Sequence, residues 1–425
     1  VLWKPDTSSP EAWEKSMAPK RARLRQLLGM VDEQAKVEMK LLTAPLKQDE
    51  LLAADQYRDI AGQMGMILQP VEWSVFREVK GEGILTDNGT RDLAPFIVIP
   101  DCGFSPEQAF GITPGIPEPQ RWANRIAGLG HRVLAVSLLD RRSDVAMPEG
   151  RKSKFSQREV VWRAGFEMGR TVMGYEVAKV LAAVDWLCGS GGQTGIIGSG
   201  EGAWVALFAA ALDTRIKSVG LDGGFGSLGG QWQMPIDRTV FGLIREFGAA
   251  ELAAMVAPRN IDILNSQGPE VILSDSGGGA PGRLGAMVAR SELESELTRV
   301  AGIHGALQAA KPSFRDDPDK FLHSTMIPFV RHETNTGFAH LRDVEKRKAA
   351  DNDARQARLF NNLLEDTQHL MRQAQKARGE YWKGADFSSA EKFTESAKAY
   401  REKFWTDITG KLPPATLPPN VRSRQ

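Results

Sequence analysis

Thr194-Gly-Ile-Ile-Gly-Ser-Gly-Glu-Gly-Ala-Trp-Val-Ala-Leu-Phe-Ala-Ala-Ala-Leu212 is the stretch from which the rest of the chain is read. A short apolar run enters glycines at alternate positions, Gly198, Gly200 and Gly202, and leaves as an alanine-rich segment. Apolar residues before the glycines predict a buried strand, the glycines a very tight turn, and the alanines a helix pressed close to a sheet.

Two kinds of chemistry use such a turn. A G-x-S-x-G turn presents a nucleophile at its centre. On that pattern the outer glycines are Gly198 and Gly202, the nucleophile position is Gly200, and Ser199 stands one place early. A G-x-G-x-x-G/A turn instead cradles a pyrophosphate at the helix N-terminus. On that pattern Gly198, Gly200 and Ala203 match, and Asp222 ends the next strand, where a ribose hydroxyl would be bound. This second reading makes the chain a dinucleotide-binding oxidoreductase.

Outward from the turn, strands alternate with helices. Phe96–Pro100, Val133–Ser137, Ile216–Leu221, Asn260–Leu264 and Met326–Val330 read as strands. Between them lie helical patterns at Trp122–Leu129, Met168–Leu187, Val240–Met255 and Ala286–Val300. This rhythm predicts a mostly parallel sheet with helices on both faces. Val71–Val79 alternates apolar and polar residues as a strand does. Residues 1–70 read as a helical segment, with amphipathic patterns over Ala12–Gly29 and Asp49–Leu68. Residues 71–342 form the α/β domain. Residues 343–425 form a charged helical extension and a Pro-rich stretch, with an apolar stripe at Leu359, Leu363, Leu370 and Met371 expected to dock on the basic N-terminal helix.

The chain has 425 residues, 42% of them hydrophobic and 25% charged, which suits a large apolar core. With 54 basic and 53 acidic side chains, nothing in the bulk charge points to nucleic acid or a membrane surface. No apolar run is long enough to span a bilayer. Cys102 is expected past the C-terminal end of one strand and Cys188 before the start of another. These are opposite edges of a sheet, separated by about five residues at roughly 3.3 Å each. A disulfide needs Cα atoms within about 7 Å, so two free thiols are expected.

Three stretches carry a resemblance. Gly169-Arg-Thr-Val-Met-Gly-Tyr-Glu-Val-Ala-Lys-Val-Leu-Ala-Ala-Val-Asp-Trp-Leu187 is similar to the helix before the turn in acetylxylan-esterase-like α/β hydrolases. Glu251-Leu-Ala-Ala-Met-Val-Ala-Pro-Arg-Asn260 resembles that family's approach to the strand after the turn unit, and Asp140-Arg141 fits as well. The resemblance covers roughly residues 71–345. Within the family it is to the first, nucleophile-lacking domain of bacterial tandem hydrolase proteins, which implies a second hydrolase domain or a neighbouring subunit as partner, and a carbohydrate or ester ligand. It also implies a periplasmic or secreted location.

The resemblance assigns roles. An esterase needs a nucleophile, a histidine base, an acid to orient it and backbone donors for the oxyanion. The nucleophile position is Gly200, which has no oxygen. Glu270 and Asp275 are the candidate acids, and His332 and His340 the candidate bases. The oxyanion side falls at Cys102, Gly103 and Glu201, with Asp101-Cys102-Gly103 where active relatives often begin with a His-Gly pair. The implied function is a catalytically degenerate, esterase-like domain. The alternative is an active serine esterase using Ser199, whose hydroxyl is expected to face away from the cleft because successive strand residues point to opposite sides. Cys102 is a further candidate, as a thiol nucleophile if a neighbour lowers its pKa. No metal-ligand spacing is present, and no cofactor is expected beyond the dinucleotide of the second reading.

Overall fold

The computed structural model describes residues 3–42, 67–87, 93–143, 154–285, 287–305, 307, 312–329, 352–414 and 416. They divide into two compact units, Val1–Thr367 and Gln368–Gln425.

The first unit begins with helix α1 (Pro10–Leu28), whose limits are chemical. The Ser9 side chain accepts from the Ala12 amide, Pro10 takes a position with no hydrogen bond to lose, and Gly29 closes the helix at φ 75°. Trp13, Met17, Leu24 and Leu28 form its buried face, which packs on the helices before and after the glycine turn.

The sheet strands in chain order are β1 (Met39–Leu41), β2 (Ile67–Phe76), β3 (Val79–Asp87), β4 (Phe96–Ile99), β5 (Val133–Val136), β6 (Thr194–Ser199), β7 (Ile216–Asp222) and β8 (Asn260–Leu264). A small hairpin of β9 (Val271–Leu273) and β10 (Gly282–Leu284) stands apart, and β11 (Ser313–Arg315) completes the main sheet. Among the described residues the order is β1-β2-β3-β5-β4-β6-β7-β8-β11. The first three strands pair antiparallel, and β5 onward is parallel. Strands β4 and β5 are buried at every position because helices cover both sheet faces, so they read as continuous apolar runs.

The covering helices are α2 (Trp122–Gly128), α3 (Gln157–Phe166), α4 (Val172–Cys188), α5 (Glu201–Leu212), α6 (Ala249–Val256), α7 (Arg290–His304) and α8 (Pro318–Met326). Every residue of α5 is buried, which its five alanines allow by letting its backbone approach the sheet. Cys102 and Cys188 are both free and buried.

Several expectations are corrected. Of the expected strand Met326–Val330, the described part, Met326–Phe329, is not a strand: it continues from α8, where Asp317 caps the Lys320 amide and Phe321, Leu322, Thr325 and Met326 bury one helical face. The edge strand is β11 instead. The Val71–Val79 alternation extends into a two-strand hairpin, β2 and β3, with a register shift near Ser74. Most of the helical pattern at Asp49–Leu68 lies outside the described residues, but Ile67 and Leu68 belong to β2.

A further correction concerns α9 (Asn352–Tyr381). Leu359, Phe360 and Leu363 are buried, whereas Met371 is exposed. The seam faces the β2–β3 hairpin and the loops after β4 and β5, not α1. Lys80 N–H donates to Asn362 Oδ1 at 2.8 Å, and Arg358 pairs with Glu82 at 2.7 Å. Asp366 accepts from Arg77 and from the Tyr175 hydroxyl, each at 2.7 Å. Arg355 makes a buried pair with Glu107 at 2.6 Å, and Gln356 Nε2 donates to the Leu138 carbonyl at 3.0 Å. The polar partners of the hairpin set the docking site: Glu82 is buried and needs the Arg358 guanidinium, while Arg77 and Lys80 bond α9 from exposed positions.

Leu363 is fully buried in that seam. We expect Leu363→Ala to cost about 2–5 kcal/mol in denaturant unfolding of the first unit. An unchanged midpoint would show that α9 is not docked.

Candidate functional site

The turn between β6 and α5 has the geometry of a nucleophile elbow. Gly200 sits at φ 55° and ψ −115°, a backbone region that residues with a side chain adopt only under strain. Its amide donates to the Asp222 carbonyl at 3.0 Å, which fixes the turn to the end of β7. The flanking glycines are required by close approach: a Cβ at Gly198 would lie 2.1 Å from the Gly202 carbonyl oxygen, and one at Gly202 equally near the Ile99 oxygen.

The position a nucleophile would occupy is filled by another side chain. Asp101, directly after β4, is buried, and its Oδ2 accepts from the Glu201 amide at 2.8 Å. Its Oδ1 accepts from the Gly103 amide at 2.9 Å. Glu201 follows the nucleophile position, so its N–H is the donor that would stabilise an oxyanion in an active elbow. A Cβ at Gly200 would come within 2.4 Å of Asp101 Oδ2 and 3.0 Å of its Cγ. A side chain at position 200 would therefore require the Asp101 carboxyl to shift.

Beneath the elbow lies a buried set of charges, three guanidiniums (Arg141, Arg158, Arg238) against three carboxylates (Glu176, Glu201, Asp237). Arg141 donates to Glu201 at 2.9 Å and to Asp237 at 2.8 Å. Arg158 pairs with Glu176 and with Asp237, each at 2.6 Å, and Arg238 with Glu201 at 3.3 Å. Burial alone would push the Glu201 carboxyl up, but Arg238, Arg141 and Arg158 together hold it below the ordinary range. Asp237 is likewise pushed up by burial and drawn well below it by Arg141 and Arg158. Both are ionised and paired, which suits neither to accept a proton near neutrality.

Cys102 joins this set through its sulfur, 3.0 Å from Arg141 Nη1. Burial raises its pKa well above the usual thiol value, and the nearby arginine only partly offsets that. It is held as a thiol, not a thiolate nucleophile.

Ser199 points away from Asp101. Its hydroxyl donates to Asp222 Oδ2 at 3.0 Å, and Trp122 Nε1 donates to the same oxygen at 2.8 Å. The Ser266 hydroxyl bonds the other carboxylate oxygen. Burial raises the Asp222 pKa, with these three donors opposing. Asp222 is thus consumed within the chain, which leaves the dinucleotide reading without its ribose acid.

The structure therefore brings together Ser199, Gly200, Glu201, Cys102 and Gly103. Glu270 and Asp275 are exposed, flanking β9 beyond the end of β8. His332 and His340 lie outside the described residues. Asp101, Arg158, Glu176, Asp237 and Arg238 take site positions that sequence reasoning did not assign. For Asp101 a signal existed, since it stands beside the altered His-Gly position. Arg158 and Glu176 lie on helices whose faces gave no such mark. No group of acids, histidines and cysteines suited to a metal is present among the described residues.

A proposed acetyl xylan esterase from Bacteroides fragilis superposes with a TM-score of 0.50 at 16% identity, over 75% of this chain and 80% of that one. A glucuronoyl esterase from Teredinibacter turnerae gives 0.47 at 13% identity, over 77% of this chain and 90% of that one. One from Solibacter usitatus gives 0.44 at 12%, over 76% and 93%. The first of these places the chain in the α/β-hydrolase fold. No family model and no curated protein matches the sequence.

Two outcomes are expected. Gly200→Ser should lower stability by about 1–3 kcal/mol through backbone strain, and by more if Asp101 must leave the Glu201 amide. Adding Asp101→Ala should make the second part of that cost vanish, a coupling that a double-mutant cycle in denaturant would measure. Lys179, fully buried on α4 with no hydrogen-bond partner at Nζ, supplies the other. Burial pushes its pKa down from 10.5 to about 8, with Glu176 and Glu82 opposing. Between those values the unfolded chain binds more protons than the folded one, so this group makes stability rise with pH there. Lys179→Met should be more stable at pH 7 and should flatten that rise; thermal unfolding from pH 7 to pH 10 tests both.

Proposed function

We propose that this chain is a catalytically degenerate, carbohydrate-esterase-like α/β-hydrolase domain that serves as a structural or ligand-binding partner of an active hydrolase domain or a neighbouring subunit. The observation that carries this reading is Gly200 at the strained centre of an elbow, with no oxygen to attack a carbonyl. Acyl transfer there would need a side chain and an open oxyanion donor, and this site has neither. The pairing of Ser199 with Asp222 supports the same reading, because the adjacent hydroxyl serves a buried carboxylate instead of the cleft. A carbohydrate or ester is the ligand class that goes with the fold, and a periplasmic or secreted location goes with that ligand.

No serine-dependent ester hydrolysis is expected. Release of p-nitrophenol from p-nitrophenyl acetate should match the uncatalysed rate and should not change in Ser199→Ala. A burst that disappears in Ser199→Ala would establish an active esterase and overturn the reading.

A further inference from the structure

Two consecutive residues of α9 hold the two loops that meet at the elbow. Arg355 donates to the two Glu107 carboxylate oxygens at 2.6 and 2.9 Å, and both side chains are buried. Gln356 Nε2 donates to the Leu138 carbonyl at 3.0 Å, and its Oε1 accepts from the Asp140 amide, also at 3.0 Å. Arg355 therefore grips the loop after β4, and Gln356 the loop after β5.

Each loop reaches Glu201 within a few residues. On the first, Ser105 caps the short helix that carries Glu107, and the Phe104 amide donates to the Asp101 carbonyl at 2.8 Å. Glu107 and Asp101 are thus the two ends of one bonded turn, and Asp101 Oδ2 accepts from the Glu201 amide. On the second, Asp140 is followed by Arg141, which donates to the Glu201 carboxylate at 2.9 Å. The amide and the carboxylate of one residue are held by two loops, and α9 holds both loops.

Neither grip can be lost without effect. Burial would push the Glu107 carboxyl up, but Arg355 holds it below the ordinary range, so it is ionised. When Arg355 withdraws, that charge is buried without its guanidinium and reaches water only if the turn around it opens. The buried Leu138 carbonyl likewise loses the Gln356 donor. The buried apolar side chains of α9 are Leu359, Phe360 and Leu363, and Asp366 and Asp353 pair with the partly exposed Arg77 and Arg142. An element with so few apolar contacts opens more readily than the sheet. We infer that α9 is a clasp for the elbow: its docking holds Asp101 on the Glu201 amide, and its release frees that amide. By linkage, displacing Asp101 loosens α9 by the same factor. The clasp governs how the elbow is held and not whether it hydrolyses esters, so it stands apart from the function proposed above.

Amide hydrogen exchange on the full chain, read by mass spectrometry, tests it. Leu363→Ala loosens α9 about two turns past Gln356. Arg77→Gln loosens it at Asp366 and lies at an exposed position, so it is compatible with folding. In each variant exchange at 352–367 should rise, and exchange at Gly103 and Glu201 should rise with it, by about fivefold or more, while β8 keeps its wild-type protection. Asp101→Ala should in turn speed exchange at 352–367. Faster exchange in α9 with Gly103 and Glu201 unchanged would overturn the clasp. So would an equal loss of protection in β8, since α9 would then open only with the whole fold. An α9 indifferent to Leu363→Ala and Arg77→Gln, or to Asp101→Ala, would overturn it as well.

Discussion

The hydrogen bond from the Glu201 amide to the Asp101 carboxylate is the contact around which the site is arranged. An N-terminal amide of a helix has no partner within the helix, and it attracts negative charge. In an active elbow that amide is held ready for charge that develops during reaction. Here it is satisfied at rest by the Asp101 side chain. The turn keeps its demanding backbone angles because Gly198 and Gly202 admit close contacts and Gly200 tolerates positive φ.

The charges below the elbow follow from the same arrangement. Glu201 opens α5 with its side chain buried, and a lone carboxylate there would be very costly. Arg141, Arg238 and Arg158 neutralise it, and they bring Asp237 and Glu176 with them. Such a network is weak evidence for stability, because desolvation consumes much of the attraction. Its effect is geometric: five elements are joined through guanidiniums with fixed donor directions. The Arg355–Glu107 pair does the same at one remove, tying α9 to the short helix that follows the Asp101 loop.

Much of this was legible in the sequence where a local rule and a tertiary one agreed. The glycine spacing at 198–202 gave the elbow because only glycine meets both its backbone and its packing demands. Gly29 marked the C-terminal end of α1, and the continuous apolar runs at 96–99 and 133–136 marked buried strands. Where the two rules diverged, the reading failed. Met326–Val330 looked like a strand because periodicity cannot separate a short apolar run at a helix end from a buried strand. The stripe on α9 was visible, but an apolar face carries no address, and the hairpin was chosen by Arg77, Lys80 and Glu82. In the site, the glycine at the centre of the turn could be read at once. The side chain beside it could not, because Asp101 and Gly200 are separated along the chain and meet only through the β4–β6 register.

The conflict between side chains at positions 101 and 200 also orders the paths through sequence space. Since a side chain at 200 would collide with the Asp101 carboxylate, a serine gained there first meets both a strained backbone and an occupied neighbour. Losing the Asp101 carboxyl first forfeits its two bonds from the Glu201 and Gly103 amides and clears the space beside Gly200. The two substitutions are therefore coupled, and the order in which they are gained decides which cost is met first.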